Sequence, residues 1–248
     1  MKRIGIIGCG AIGTLIAQAV ENGAISCDRL ILYDCDSKRA EQLKKSLHVP
    51  TTIARSVDEM IEAGPSVIVE AASQQAARDN VPKVLSKNID IVVMSVGALI
   101  DMNIESGRIH IPSGAIGGLD AISSASVVGI EKIVLTTRKN PGALDMNNRE
   151  EKLAYEGTAE EAVKRFPREM NVAATLALAV GRGKVHVRVI SDPKADKIVH
   201  EIKVKWKHGD MSFKFSNSPH PQNPRTSALA AYSAIDLIKR ILEKRAFR

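Results

Sequence analysis

Three glycines at fixed spacing, set between a strand-like run and an amphipathic helix, constrain this chain more than any other feature. Gly8-Cys9-Gly10-Ala11-Ile12-Gly13 follows the short run Arg3 to Ile7. It precedes Ala11 to Glu21, where Ile12, Leu15, Ile16 and Val20 recur at helical spacing. In a G-x-G-x-x-G loop so placed, Gly8 permits a tight turn and Gly10 lets backbone approach a pyrophosphate. Gly13 lets the helix pack closely on the strand. The free N–H groups at the helix start then hold phosphates. The bare motif is weak, and its context strengthens it. Leu30-Ile31-Leu32-Tyr33 reads as a second strand ending on Asp34, 21 positions after Gly13. That is near the spacing of about 20 at which an acid receives the adenine ribose hydroxyls. The expected cofactor is therefore NAD or NADP, held at Gly8, Gly10, Ala11, Ile12, Gly13 and Asp34. Asp34 favours NAD, because a 2′-phosphate would face a carboxylate. Ser37, Lys38 and Arg39 follow closely enough to bind that phosphate. Use of both cofactors, with tighter NAD binding, is the expectation. Cys9 reads as a small apolar filler.

The alternation continues through the first part of the chain. Helices are expected over Ser37 to Leu47, Val57 to Ala63 and Gln74 to Leu85. Strands are expected at Thr51 to Ile53, Ser66 to Glu70 and Ile89 to Met94. Short apolar strands alternating with helices imply a parallel sheet covered on both faces, an α/β Rossmann domain. The pattern changes after about residue 110. Helices are expected over Gly117 to Val128, Thr158 to Phe166 and Met170 to Val180, the second with Thr158 and Glu161 at capping-box spacing. Strands are expected over Ile130 to Arg138, Lys184 to Ile190, Ile198 to Trp206 and Met211 to Phe215. His208-Gly209-Asp210 joins the last two as a hairpin. This predicts a second, α+β domain with a mixed or antiparallel sheet. A final helix over Thr226 to Leu242 would bury Leu229, Tyr232, Ile235, Leu237, Ile238 and Leu242 on one face.

With 44% hydrophobic and 25% charged residues the chain should build a packed core, and with 3% aromatics aliphatic side chains must fill it. Its formal charge of +7 is scattered over short clusters: Lys38-Arg39, Lys44-Lys45, Arg138-Lys139 and the tail from Lys239 to Arg248. Aromatic platforms and a reading helix do not accompany them, so no nucleic-acid partner is expected. Cys9, Cys27 and Cys35 are odd in number and lack metal-like spacing, so neither a disulfide framework nor a metal site is expected. Met1-Lys2-Arg3 leads only into a Gly-interrupted apolar stretch, and the run Val172 to Val180 is far below membrane-spanning length. No membrane partner and a cytoplasmic location are the expectation.

Four ordered segments in the second half carry a resemblance. They are Ile111-Pro112-Ser113-Gly114-Ala115-Ile116-Gly117-Gly118-Leu119-Asp120; Phe166-Pro167-Arg168-Glu169-Met170-Asn171-Val172-Ala173-Ala174-Thr175; Asp192-Pro193 with Asp196 and His200-Glu201; and Asn223-Pro224-Arg225-Thr226-Ser227. Together they resemble the L-aspartate dehydrogenases over nearly the whole chain. The resemblance implies NAD(P)-dependent oxidative deamination of L-aspartate through iminoaspartate to oxaloacetate and ammonia, with a role in NAD biosynthesis. It implies a Rossmann domain over 1–110, completed by 222–248, with a substrate, catalytic and dimerisation domain over 111–221 inserted between, and a homodimer. It further implies cofactor contacts at Ala115 and Asn171 and catalysis by His200. One family stretch, Lys followed by two prolines, stands here as Lys139-Asn140-Pro141.

The residues themselves are compatible with these roles. Ser113-Gly114-Ala115 is a small turn whose backbone could approach a flat ring. Asn171 opens an apolar helix, where it also reads as a capping residue. His200 lies near the start of a strand. An imidazole with an ordinary pKa of about 6.5 can take and give protons near neutrality, and Asp192, Asp196 or Glu201 could orient the ring. Spacing alone favours a packing or solvent-facing side chain, and the resemblance points to catalysis. His110, His186 and His208 have no supporting pattern, and His220, between prolines, should be exposed. For the substrate carboxylates Arg225 and Lys139 are candidates, with surface roles competing.

Two other readings share part of this pattern. Dihydrodipicolinate reductase or homoserine dehydrogenase would fit another Rossmann oxidoreductase, but the paired histidines of the first are absent here. A dinucleotide-sensing regulator without turnover would need a DNA-reading module, and the first strand begins at Arg3.

Overall fold

Strands with no polar face must be covered on both sides, and the first part of the chain achieves this by placing a helix after almost every strand. In a computed structural model, which describes all residues but 103, 105, 221, 222 and 245–248, this part runs β1 (Arg3–Ile7), α1 (Ala11–Glu21), β2 (Arg29–Tyr33), α2 (Ser37–Lys45), β3 (Thr51–Ile53), α3 (Val57–Glu62), β4 (Val67–Glu70), α4 (Gln74–Ser86), β5 (Asp90–Val93), a 3-10 turn (Val96–Ile100) and β6 (Ile109–His110). The strands form one parallel sheet in the order β3-β2-β1-β4-β5-β6. That is the Rossmann order, in which ligands bind beyond the carboxyl ends of the strands. Ile4, Ile6, Leu30, Leu32, Val67, Val69 and Ile91 are wholly buried within it. Asp36, Ser56 and Ser73 cap α2, α3 and α4 with side-chain oxygens, whereas α1 starts at Gly10 with no side-chain cap.

Glu70 ends β4 with no exposed surface. Its carboxylate accepts from the amides of Ala72, Ser73 and Ser95 and from the Ser95 hydroxyl, at 2.9–3.1 Å. It thereby ties together the loops that follow β4 and β5.

The second part runs α5 (Leu119–Ser126), β7 (Ile130–Lys139), a 3-10 turn (Pro141–Leu144), β8 (Lys152–Thr158), α6 (Ala159–Arg165), α7 (Asn171–Val180), β9 (Val185–Ser191), β10 (Ile198–Trp206), β11 (Gly209–Asn217), β12 (Pro219–His220), β13 (Asn223–Ser227) and α8 (Ala228–Glu243). Five strands form a mixed sheet in the order β11-β10-β7-β9-β8, with β7 and β9 parallel and the other neighbours antiparallel. The expected hairpin is β10–β11, paired from Ile198–Asn217 to Trp206–Gly209. The capping box of Thr158 and Glu161 opens α6. One sheet face buries Ile133, Leu135, Val185, Val187, Val189, Ile202 and Val204, and α5, α6 and α7 pack on strands of this sheet. The other face is charged and forms an open groove of about 1080 Å³ lined by residues such as Lys132, Arg188, Glu201 and Lys205.

The chain divides into two compact units, Met1–Pro112 with Ala231–Arg248, and Ser113–Ala230. The boundary expected at 222 lies outside the described residues, and the chain re-enters the first unit at Ala231, inside α8. The buried stripe of α8 is Ala231, Ala234, Ile235 and Ile238, at i, i+3, i+4 and i+7, with Ala230 beside it. Leu229 and Tyr232, expected on that face, are 38% and 57% exposed. Ile235 and Ile238 are buried as expected, and Ala231 and Ala234, which let a helix approach closely, complete the stripe in place of Leu229 and Tyr232. The sequence also concealed β6, β8 and the β12–β13 pair. In β8, Ala154, Glu156 and Gly157 are poor strand formers, and pairing with β9 at the sheet edge supplies the structure. His220, expected to be exposed, is buried in β12.

Candidate active site

The glycine loop is fixed by sterics that its spacing anticipated. Gly8 has φ +97°, and a Cβ there would lie 2.7 Å from the Ala71 carbonyl oxygen. A Cβ on Gly13 would lie 2.0 Å from the Gly8 carbonyl oxygen, so only glycine lets α1 sit this close to the turn. A Cβ on Gly10 would meet nothing within 4 Å. The space over Gly10 is therefore open, and the amides of Ala11, Ile12 and Gly13 open α1 without intrahelical acceptors. Such a helix start favours phosphate oxygens.

Asp34, half-buried at the end of β2, accepts from the Cys9 amide at 2.7 Å through Oδ2 and from the Asp36 amide at 2.9 Å through Oδ1. The acid and the loop are thus one unit, a coupling that spacing alone did not show. Ser37, Lys38 and Arg39 are exposed beyond it, and Arg39 reaches Asp36 at 3.6 Å. The donor set fits a dinucleotide: open backbone for a pyrophosphate and an acid for ribose hydroxyls. Cys9 is the expected filler, 7% exposed, with burial and then the charge of Asp34 pushing its thiol up to about 12.

In the second unit, strand alternation gathers a buried polar group on the helix-covered face of the sheet. His200 of β10 pairs with Thr137 of β7, and Nδ1 lies 3.0 Å from the threonine Oγ1. The two residues are 2% and 1% exposed. Two positions along β7, on the same face, Lys139 is 2% exposed. Opposite it on β9 stands Ser191, wholly buried, whose hydroxyl donates to Asn148 Oδ1 at 2.6 Å. Burial, and secondarily the charge of Lys139, lowers the His200 pKa to about 3. The imidazole is therefore neutral in this state, and its pKa departs widely from the ordinary value expected.

None of the three acids expected near the ring orients it. Asp192 binds Arg138 at 2.7 Å and the Lys194 amide at 2.9 Å. Glu201 alternates to the open sheet face and meets Lys203 at 3.3 Å, while Asp196 is exposed. Thr137 holds the ring instead. Its signal was present in the sequence: Ile133, Leu135, Thr137 and Lys139 share one face of a strand at period two.

Ala115, 7% exposed, follows Gly114, whose φ is +69°, in the turn before α5. Asn171 is the first residue of α7, and Met170 occupies the cap position without a side-chain bond, so Asn171 does not cap that helix. Helices α5 and α7 pack on each other. His110 lies 2.9 Å from Asp90, and His186, on the open face, 3.0 Å from Glu156. Among the described residues no group of three or more His, Cys, Asp or Glu side chains could hold a metal ion, and no helix is long and apolar enough to cross a membrane.

A parallel sheet in Rossmann order, a glycine loop open over Gly10 and an acid at the end of β2 define a dinucleotide-binding protein of the Rossmann class. Residues 8–107 match the family described as homoserine dehydrogenase, NAD binding domain, and residues 120–241 match aspartate dehydrogenase, C-terminal. The L-aspartate dehydrogenase of Methanothermobacter thermautotrophicus is 42% identical, covering 98% of this chain and 97% of its own. That of Methanosarcina mazei is 40% identical over the same shares. The crystal structure of aspartate dehydrogenase from Thermotoga maritima matches over all of both chains, with a TM-score of 0.78 and 26% identity. The chain belongs to the L-aspartate dehydrogenase family.

Proposed function

We propose that the protein catalyses the reversible, NAD(P)-dependent oxidative deamination of L-aspartate, through iminoaspartate, to oxaloacetate and ammonia. The observation that carries this reading is the neutral imidazole of His200, held by Thr137 beside the charge of Lys139, in a chain of this family. A bound dinucleotide would supply a nicotinamide carbon able to accept the hydride that leaves Cα. The amine must be neutral, so that its lone pair forms the C=N bond as the hydride leaves. His200 then takes a proton from the water that adds to the imine carbon, and returns it to the departing nitrogen. With Nδ1 tied to Thr137, Nε2 is the atom that takes up and returns this proton, its lone pair being free when Nδ1–H donates to the hydroxyl. Gly8, Gly10, Ala11, Ile12, Gly13 and Asp34 hold the dinucleotide, and Ala115 and Asn171 are read as further cofactor contacts.

The working form is read as a cytoplasmic homodimer, with neither nucleic acid nor membrane as partner, whose imino product feeds NAD biosynthesis. Following reduced nicotinamide by its absorbance, with L-aspartate and a panel of other amino acids, tests the reaction. Turnover confined to L-aspartate is expected. Turnover of homoserine instead, or dinucleotide binding without any turnover, overturns the reading.

A further inference from the structure

We infer that Glu70 is a positioning residue for the nicotinamide half of the dinucleotide, acting through the loops that follow β4 and β5. The inference concerns cofactor binding alone and goes beyond the reading of the reaction. β4 lies beside β1, where the strand order of the sheet reverses, and Glu70 pairs there with Ile7 of β1 and Val93 of β5. A Rossmann sheet is built of two mononucleotide-binding halves, and a dinucleotide crosses from one to the other at that reversal. Asp34 ends β2 in the first half, where an acid receives the adenine ribose. Glu70 ends β4 in the second, the half left for the nicotinamide mononucleotide. The two acids differ in reach. Asp34 is half-buried, whereas Glu70 has no exposed surface. Glu70 therefore does not touch a ligand, and its effect on one passes through its partners.

Those partners belong to the ligand-binding edge of the sheet. Oε1 accepts from the amides of Ala72 and Ser73 and from the Ser95 hydroxyl, and Oε2 from the Ser95 amide. Ala72 and Ser73 are exposed, so the carboxylate braces a solvent-facing loop from beneath. The same loop is confined from the other side. A Cβ on Gly8 would lie 2.7 Å from the Ala71 carbonyl oxygen and 2.9 Å from Cα of Ala72. The glycine turn and the loop beyond β4 are thus packed backbone to backbone. Each group that Glu70 meets is a donor, so both of its oxygens must accept. The ionised form does this, and an amide in its place does not, because its NH2 group would face an N–H. Burial pushes the carboxyl up, and the bonds from Ala72, Ser95 and Ser73 pull it down. A charge kept from water is costly unless it is fully hydrogen-bonded. For core filling alone an apolar side chain serves, as Val69 and Val92 do in the same strands. A carboxylate at this position fixes two loops at once.

The test titrates wild type and Glu70→Gln with NAD and with ADP, which carries the adenosine and the pyrophosphate but lacks the nicotinamide riboside. Thermal denaturation without ligand controls for folding. Glu70→Gln keeps the shape and sets an NH2 group against one of the two loops. It should weaken NAD about 10-fold, the scale of one charge-assisted hydrogen bond, and leave ADP nearly unchanged. Ser95→Ala removes one bond to the same carboxylate and no charge. It should weaken NAD in the same selective way, by about 3-fold. The double variant should lose less than the product of the two single losses, since both act through one group. Equal losses for NAD and ADP mean a loosened domain and overturn the inference, as does unchanged NAD affinity in a folded Glu70→Gln. If Glu70→Gln does not fold, Ser95→Ala decides alone: selective loss of NAD supports the inference, and an unchanged or unselective response overturns it. Every readout is of binding, so a failure to oxidise L-aspartate would strike the reading of the reaction and leave this result standing.

Discussion

The hydroxyl oxygen of Thr137 and Nδ1 of His200 are 3.0 Å apart, in a sheet face where both side chains are buried. A ring nitrogen so engaged holds the ring's orientation, and when Nδ1–H donates to the hydroxyl, Nε2 keeps its lone pair for proton transfer. Thr137→Val keeps the shape and removes the partner. It should lower kcat on L-aspartate about 10-fold, the loss of one buried hydrogen bond, with NAD affinity unchanged, and Thr137→Ser should restore it. His200→Ala should cost about 10²–10⁴-fold in kcat, again without loss of NAD binding. Steady-state kinetics together with NAD titration check both. A folded His200→Ala enzyme that keeps most of its kcat removes this residue from the chemistry.

Gly10 and Gly13 should respond oppositely to the same added methyl. At Gly10 a Cβ meets no atom within 4 Å, so Gly10→Ala should fold with a near-native Tm and bind NAD poorly, its methyl occupying the space of the pyrophosphate. At Gly13 a Cβ would sit 2.0 Å from backbone oxygen. Gly13→Ala should therefore lose stability first, by several degrees in Tm or by failing to fold. Thermal denaturation with and without NAD separates the two effects.

Asp34 holds the Cys9 amide at 2.7 Å, and the ribose-binding role proposed for it favours NAD over NADP. We expect both cofactors to serve, with a lower Kd for NAD at a fixed ionic strength. Asp34→Ala should weaken NAD about 10-fold, the scale of one charge-assisted bond, and weaken NADP less, because the carboxylate that repels the 2′-phosphate is gone. Fluorescence titration with each dinucleotide measures this. Tighter NADP binding by wild type contradicts the expectation.

His200 predicts an acid sensitivity of the fold. Its pKa is lowered from 6.5 to about 3 on burial, so the unfolded chain binds a proton that the folded chain refuses. Stability on this account is complete above pH 6.5 and falls as the pH drops from there towards 3. At pH 5 the loss is about 2 kcal/mol. His200→Gln should flatten the decline in Tm between pH 7 and pH 5. An unchanged decline shows that the histidine is not protonated on unfolding, or that other groups dominate.

What the chain disclosed in advance follows from the range of the forces involved. The glycine loop, Asp34, the capping box of Thr158 and the β10–β11 hairpin depend on residues close in sequence or on a strict period, and each was legible. Thr137 was legible only in principle, because its importance depends on which strand lies beside β7. Register with β10, rather than anything within β7, brings Thr137 to His200. Proximity in sequence misled for all three acids: Glu201 alternates to the opposite strand face, while Asp192 and Asp196 lie in the loop before β10, the first bound to Arg138 and the second exposed. In α8 Ile235 and Ile238 are buried as their spacing predicted, but Ala231 and Ala234 fill the rest of the stripe while Leu229 and Tyr232 face solvent, a shift that counting apolar residues cannot detect.

The division of the chain inside α8 also sets an order of assembly. The first unit consists of Met1–Pro112 and the stretch from Ala231 onward, with 118 residues between them. At a synthesis rate of about 5–20 residues per second, the ribosome needs roughly 6–24 s to cross that interval. Throughout it the dinucleotide unit waits without the Ala231, Ala234, Ile235 and Ile238 stripe, its nascent sheet complete and its last helix unmade. The mixed-sheet unit, uninterrupted from Ser113 to Ala230, is the half able to finish first, although it begins second.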